Sequence, residues 1–172
     1  LPIASLTNLE RALARVGERM NADEDVLFLY LSAHGDQEHR LSASQPPLAL
    51  AQLTPTALAR MLQRTAVKWR VIVVSACYAG GFIEPLRDQN TVVIAAAAPD
   101  RTSFGCEQGR EFTYFGEAYF REALAKTRSF IGAFETARDI VARREAREQL
   151  EPSLPQMWAG AAIRERLKHF AH

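Results

Sequence analysis

Apolar residues along this chain follow two alternating rhythms. Leu6, Leu9, Leu13, Val16 and Met20 recur at three- and four-residue steps, the period of one helix face. Thr7-Asn8-Leu9-Glu10 reads as a capping box for that helix, which is expected to end near Met20-Asn21. The second rhythm is an unbroken run, Val26-Leu27-Phe28-Leu29-Tyr30-Leu31, which predicts a short strand buried on both faces. It stops at Ser32-Ala33-His34-Gly35. The polar stretch from Asp36 to Leu53 contains Pro46-Pro47 and predicts a loop or small excursion. Thr54 then caps a second helix with Pro55 in its first turn, where the missing N–H costs nothing, and Leu58, Met61 and Leu62 supply its buried face.

The same alternation continues. Val71-Ile72-Val73-Val74 predicts a second buried strand running into Ser75-Ala76-Cys77. Gly80-Gly81 loosens the backbone before a short helix over Ile83–Arg87, and Thr91-Val92-Val93-Ile94-Ala95-Ala96 predicts a third strand. After a loop around Pro99–Arg110, helices are predicted over Thr113–Lys126 and Ser129–Arg147. The first presents Phe115, Ala118, Tyr119 and Leu124, the second Ile131, Phe134, Ala137 and Val141. Met157–Ile163 reads as a final strand, weakened by Gly160. There is no internal repeat and no low-complexity tract. Buried strands alternating with helices imply βαβ units, an α/β fold with a mostly parallel sheet and helices on both faces. In such sheets the functional crevice lies beyond the carboxyl ends of the strands.

Composition narrows this picture only at its margins. The 172 residues suit one domain spanning 1–172, and 48% apolar with 24% charged residues is ordinary for a globular chain. A net charge of +1 argues against a nucleic-acid surface, which needs a basic stripe to neutralise phosphates. The Arg-rich run Arg138–Arg147 is interleaved with Asp139, Ala142 and Glu145 and reads as a solvated helix face. No apolar stretch reaches the roughly 18 residues of a membrane-crossing helix, and none of the given residues reads as a signal peptide. A chain that opens at Leu1 and enters a helix almost at once reads as an excised or trimmed domain, so a signal, anchor or leading strand upstream would be invisible in it. Compartment and oligomeric state are not written in the residues. Two cysteines are too few for a disulfide framework.

His34 and Cys77 change the picture most. Each falls just past the end of a buried strand, and neighbouring strands lie only about 5 Å apart. A thiol attacks as thiolate, and a nearby imidazole is the usual means of generating one. Gly35 permits a sharp turn and close approach of a substrate. Its N–H, with that of Cys77, could face a developing oxyanion, where one such donor is worth about 2.7–4 kcal/mol. Taken singly, Cys77 could be a packed core thiol and His34 a loop imidazole. Their joint placement favours a reactive pair.

The stretches DVLFLYLSAHG from Asp25 and VIVVSACYAGG from Val71 resemble the legumain family of cysteine peptidases, in the group that includes caspases, gingipains and separases. Ala95-Ala96-Ala97-Ala98-Pro99-Asp100-Arg101-Thr102-Ser103-Phe104-Gly105-Cys106 resembles the family's segment after its third strand, and Thr113-Tyr114-Phe115-Gly116-Glu117 its Thr-Tyr-Leu-Gly-Asp stretch. The match runs from about Asp25 to Phe120. The resemblance implies a caspase-like three-layer sandwich and a peptidase acting on peptide or protein substrates without metal or cofactor. It implies His34 as general acid/base, Cys77 as nucleophile and Gly35 as an oxyanion donor, working through a thioester acyl-enzyme. In this group the histidine is thought to protonate the leaving amine. Substrate contacts are implied for Glu117, Ser103 and Ala76. Glu117 would be an acidic wall for Asn or a basic residue before the cut. Legumain also uses an arginine carried before its first strand, and this chain has no such upstream strand.

Competing readings are fewer. His34, Asp36, Glu38 and His39 cluster in sequence, but their spacing fits no tight zinc motif. Cys106, in a polar loop, reads as a packed or incidental thiol, with a redox role open to it. Trp69 and Trp158 are expected in the core or at edges, and Tyr78 and Phe82 as cleft walls. Ser75-Ala76-Cys77-Tyr78-Ala79 only loosely echoes a nucleophile elbow: both glycines are missing, and the late histidines, His169 and His172, sit in a polar tail. Two alternatives use the same residues differently. One is a catalytically silent pseudo-peptidase serving as a binding module, the other a transamidase or ligase that resolves the thioester with an amine.

Overall fold

The computed structural model describes residues 3–105 and 111–168. Four strands form one sheet in the order β1 (Val26–Ser32), β2 (Trp69–Ser75), β3 (Thr91–Ala95), β4 (Gln156–Ala159). The first three are parallel and β4 is antiparallel to β3. Alternate residues of the central strands serve two cores, so the molecule has three layers. Ile72, Val74 and Val93 pack with Leu13 of α1 (Leu6–Arg19), Leu58 and Leu62 of α2 (Pro55–Gln63) and Leu86 of α3 (Ile83–Leu86). Val71, Val73, Val92 and Ile94 pack the other way. Their partners come from a helical arm (114–127), from α6 (Phe130–Arg147) and from α7 (Ala161–Lys168). The arm comprises α4 (Tyr114–Gly116), a π-helical stretch Glu117–Leu124 and α5 (Ala125–Thr127). Val71–Val74 and Val92–Ala95 are fully buried, as an unbroken apolar run in a two-sided sheet requires. Among the described residues, no helix is long and apolar enough to cross a membrane.

Thr54 caps α2 as expected, accepting from the Ala57 N–H at 3.1 Å, and Thr113 caps α4 in the same way, accepting from the Gly116 N–H at 3.0 Å. Four details differ from the sequence expectation. Ser5, not Thr7, caps α1, accepting from the Asn8 N–H at 3.3 Å. Starting there winds two more residues into the helix and brings Leu6 against the core. β1 is an edge strand, better covered on one face than on the other: Leu27 is buried, whereas Phe28 and Tyr30 stay 38% and 39% exposed, leaning on Phe120 and Phe130. Phe82 is no cleft wall; the 3-10 turn Ala79–Phe82 folds its ring into the core, fully buried. The last strand stops at Ala159, because Gly160 lies so close to the Asp88 carbonyl that a Cβ would stand 2.2 Å from it. Ala161 then donates its N–H to Gln89 Oε1 at 3.2 Å and α7 begins.

Candidate functional site

Parallel pairing puts the carboxyl ends of β1, β2 and β3 on one edge of the sheet. Ser32 and Ser75 are register partners, so His34 and Cys77 each lie two residues beyond a paired end. The Ala33 N–H donates to the Ser75 carbonyl at 3.4 Å, carrying the ladder one step further. His34 follows with an exposed position, and its carbonyl accepts from the Ser42 N–H at 2.8 Å. The Asp36 N–H donates to the Arg40 carbonyl at 3.2 Å, so residues 34–42 form a tight hairpin. Gly35 and Leu41 face each other between those two bonds. Gly35 therefore takes no part in the hairpin's hydrogen bonds, and its N–H and C=O point away from Leu41. On its other side the backbone presses on the thiol's residue: a Cβ on Gly35 would stand 2.1 Å from the Cys77 carbonyl oxygen. Only glycine fits there.

Cys77 is half-buried and not disulfide-bonded. Its thiol makes two contacts with one residue. The Ser103 N–H donates to Sγ at 3.3 Å, and the thiol donates to the Ser103 carbonyl at 3.4 Å. Together the two contacts hold the sulfur against the Ser103 backbone. The segment 101–105 is also tied down one residue further on, where the Tyr78 N–H donates to the Arg101 carbonyl at 2.7 Å. Ser103 thus sits at the thiol through its backbone. Ala76 is 1% exposed, its methyl packed beneath Gly35.

Glu117 has charged partners of its own. Thr113 ties α4 to the end of β2, its hydroxyl 2.9 Å from Ser75 Oγ. Glu117 follows one turn later, with a side chain 34% exposed. Its carboxylate accepts from Arg144 Nη1 at 3.0 Å and lies 3.9 Å from Arg121 Nη1. Arg144 also binds Glu122. The acidic wall the sequence suggests is therefore already paired with a guanidinium, a partner 27 residues away that no local pattern signals.

Asp36 and Glu38 are likewise engaged. Both bind Arg40, at 2.7 and 3.0 Å. The Arg40 backbone N–H first, and then its guanidinium, hold the Asp36 carboxyl below the usual carboxylate range. Among the described residues, no group of three or more His, Cys, Asp or Glu side chains is placed to hold a metal ion. Cys106, His169 and His172 lie outside the described residues.

Comparison with solved structures gives the fold a relative. Caspase-1 from Spodoptera frugiperda superposes with a TM-score of 0.65 at 15% identity, over 92% of this chain and 69% of that one. The architecture is thus caspase-like. No curated protein matches the sequence. Residues 10–165 match the family model described as the Peptidase C13 family, so the chain belongs to the legumain family of cysteine-type peptidases.

Proposed function

We propose that the chain hydrolyses peptide bonds with His34 and Cys77 as an acid/base–nucleophile dyad. One observation carries this reading: both residues stand equally far beyond the paired ends of neighbouring parallel strands, on the same sheet edge. In the cycle, the Cys77 thiolate attacks the scissile carbonyl carbon. The Gly35 N–H, free of the hairpin ladder, stabilises the resulting oxyanion. His34 protonates the departing amine as the C–N bond breaks, leaving a thioester on Cys77. Water, deprotonated by His34, then hydrolyses the thioester and releases the acid and the thiol. Ser103 supports the sulfur through its backbone N–H, and Ala76 supports the floor under Gly35. Glu117 receives an Asn or basic side chain before the cut by exchanging Arg144 for the substrate.

A panel of fluorogenic peptides carrying Asn, Asp, Arg or Lys before the cut tests this, with and without iodoacetamide. Turnover by the wild type, abolished by alkylation, is the expected result. Cys77→Ala should lower kcat more than about 10³-fold with the fold intact, and His34→Ala nearly as much. Full activity of purified Cys77→Ala overturns the mechanism. A folded wild type that turns over no peptide favours the binding-module reading. If added amines capture the acyl group faster than water, the same dyad serves a transamidase.

A further inference from the structure

The hairpin that carries His34 and the turn that carries Cys77 are tied together by one side chain, His39. Its Nδ1–H donates to the carbonyl of Tyr78, the residue after Cys77, at 2.9 Å. A carbonyl only accepts, so the proton on Nδ1 is required by the partner. The ring also fills the space over Gly81. A Cβ there would stand 2.1 Å from the ring's Cγ and 2.5 Å from Nδ1. Both backbones at this contact are left-handed, with φ of 60° at His39 and 57° at Tyr78. Asn, Asp and His are the non-glycine residues enriched in that region, whereas a tyrosine persists there only when its surroundings hold it.

The position of the contact gives it leverage. His39 lies near the tip of the hairpin whose base is His34 and Gly35. The Ala33–Ser75 bond is the step of the sheet ladder just before these loops diverge. Past it, the His39–Tyr78 bond sets how the hairpin leans on the Cys77 turn. We propose that His39 is a positioning residue, which by binding the Tyr78 carbonyl and packing on Gly81 holds His34 at working distance from Cys77. This rests on the dyad reading above. His39 touches no reacting atom in it.

The test uses the full chain and the peptide assay, with His39→Gly, His39→Asn, Gly81→Ala and the double variant His39→Gly/Gly81→Ala. Glycine keeps the left-handed backbone but removes donor and ring. Asparagine tolerates that backbone and offers an amide N–H near the place of Nδ1. His39→Gly should lower kcat by about 10²-fold with KM within about threefold of wild type, since small misplacements of reacting groups cost on that scale. His39→Asn should recover most of the loss. Gly81→Ala should be impaired alone yet add little in the His39→Gly background, where the ring it would strike is gone. Thermal unfolding of each variant separates loss of position from loss of fold.

Three results would overturn the proposal: kcat within about twofold of wild type in His39→Gly, no advantage of His39→Asn, or fully multiplicative losses in the double variant. A second readout needs no turnover. The pH profile of Cys77 alkylation by iodoacetamide, followed by mass spectrometry of its peptide, should change in His39→Gly and return in His39→Asn. If the wild type hydrolyses nothing, the dyad reading has failed. An unchanged alkylation profile in His39→Gly then rejects the positioning role independently, and a changed one supports it for the Cys77 turn.

Discussion

At the scale of single residues, close approach decides most of what matters at this sheet edge. Gly35 is the clearest case, because the atom its side chain would meet is backbone, the Cys77 carbonyl oxygen at 2.1 Å. Nothing there can swing aside cheaply. Gly35→Ala should therefore push the two loops apart, lowering kcat by about 10²-fold or more. Its cost in stability should be only about 1–3 kcal/mol, the usual range for overpacking. Steady-state kinetics beside urea denaturation checks both figures. A variant that loses stability but keeps kcat would show that the loops relax without disturbing the dyad. Ser103 teaches a complementary lesson. Its contribution lies in its N–H and C=O, so its side-chain identity says little about its place at the sulfur.

At the scale of elements, Thr113 does two jobs. Its hydroxyl caps α4 and meets Ser75 Oγ, which is 1% exposed. Thr113→Ala should cost about 1 kcal/mol for the cap. Leaving the buried Ser75 hydroxyl without its partner should cost a further ~1–3 kcal/mol. Thr113→Ser keeps both bonds and should stay within about 0.5 kcal/mol of wild type. Urea midpoints distinguish them, and equal midpoints for the two variants would show that neither bond supports the fold. Much of this layer was readable from the residues. The Thr54 cap, the central strands and the long helix ending at Arg147 all follow from local chemistry and period. The misreadings have one physical root. A run such as Val26–Leu31 reports apolar character but not how many neighbours a strand has, so the open face of Phe28 and Tyr30 was invisible. Ser5 and Thr7 offer the same hydroxyl, and only the burial of Leu6 chooses between them. At the site, His34, Gly35 and Cys77 stood out because strand ends are legible. The His39–Tyr78 and Glu117–Arg144 contacts were hidden, since both join segments distant in sequence.

At the scale of the whole molecule, the two cores differ in what they bury. One is aliphatic for the most part, whereas the other holds Tyr119, completely enclosed. Its ring stacks on Phe115 at 5.6 Å and meets Phe120 edge-on at 5.1 Å, and its hydroxyl donates to the Phe130 carbonyl at 3.1 Å. Burial pushes the Tyr119 phenol well above the usual range. Below about pH 10 the phenol is protonated in both folded and unfolded chains, and this group makes stability independent of pH. Above that, the unfolded chain releases the proton while the folded one retains it, so stability falls as pH rises. Tyr119→Phe should lose about 1 kcal/mol near neutrality with the hydrogen bond. It should also show a shallower alkaline decline, measured by chemical denaturation from pH 8 to 11. An unchanged alkaline slope would assign the decline to other groups.

With His34 and Cys77 as the proposed dyad, the Ser32–Ser75 register would also govern when the chain becomes able to cut. The proposed pair comes together only when the crossover through α2 has closed β1 against β2. Such distant parallel pairings are among the slower contacts a chain makes. A nascent or partly refolded molecule can wind its helices early and still carry the imidazole and the thiol unjoined. In the proposed mechanism catalytic power would thus arrive with sheet closure, a form of latency that needs no inhibitor and is lost again when the sheet opens.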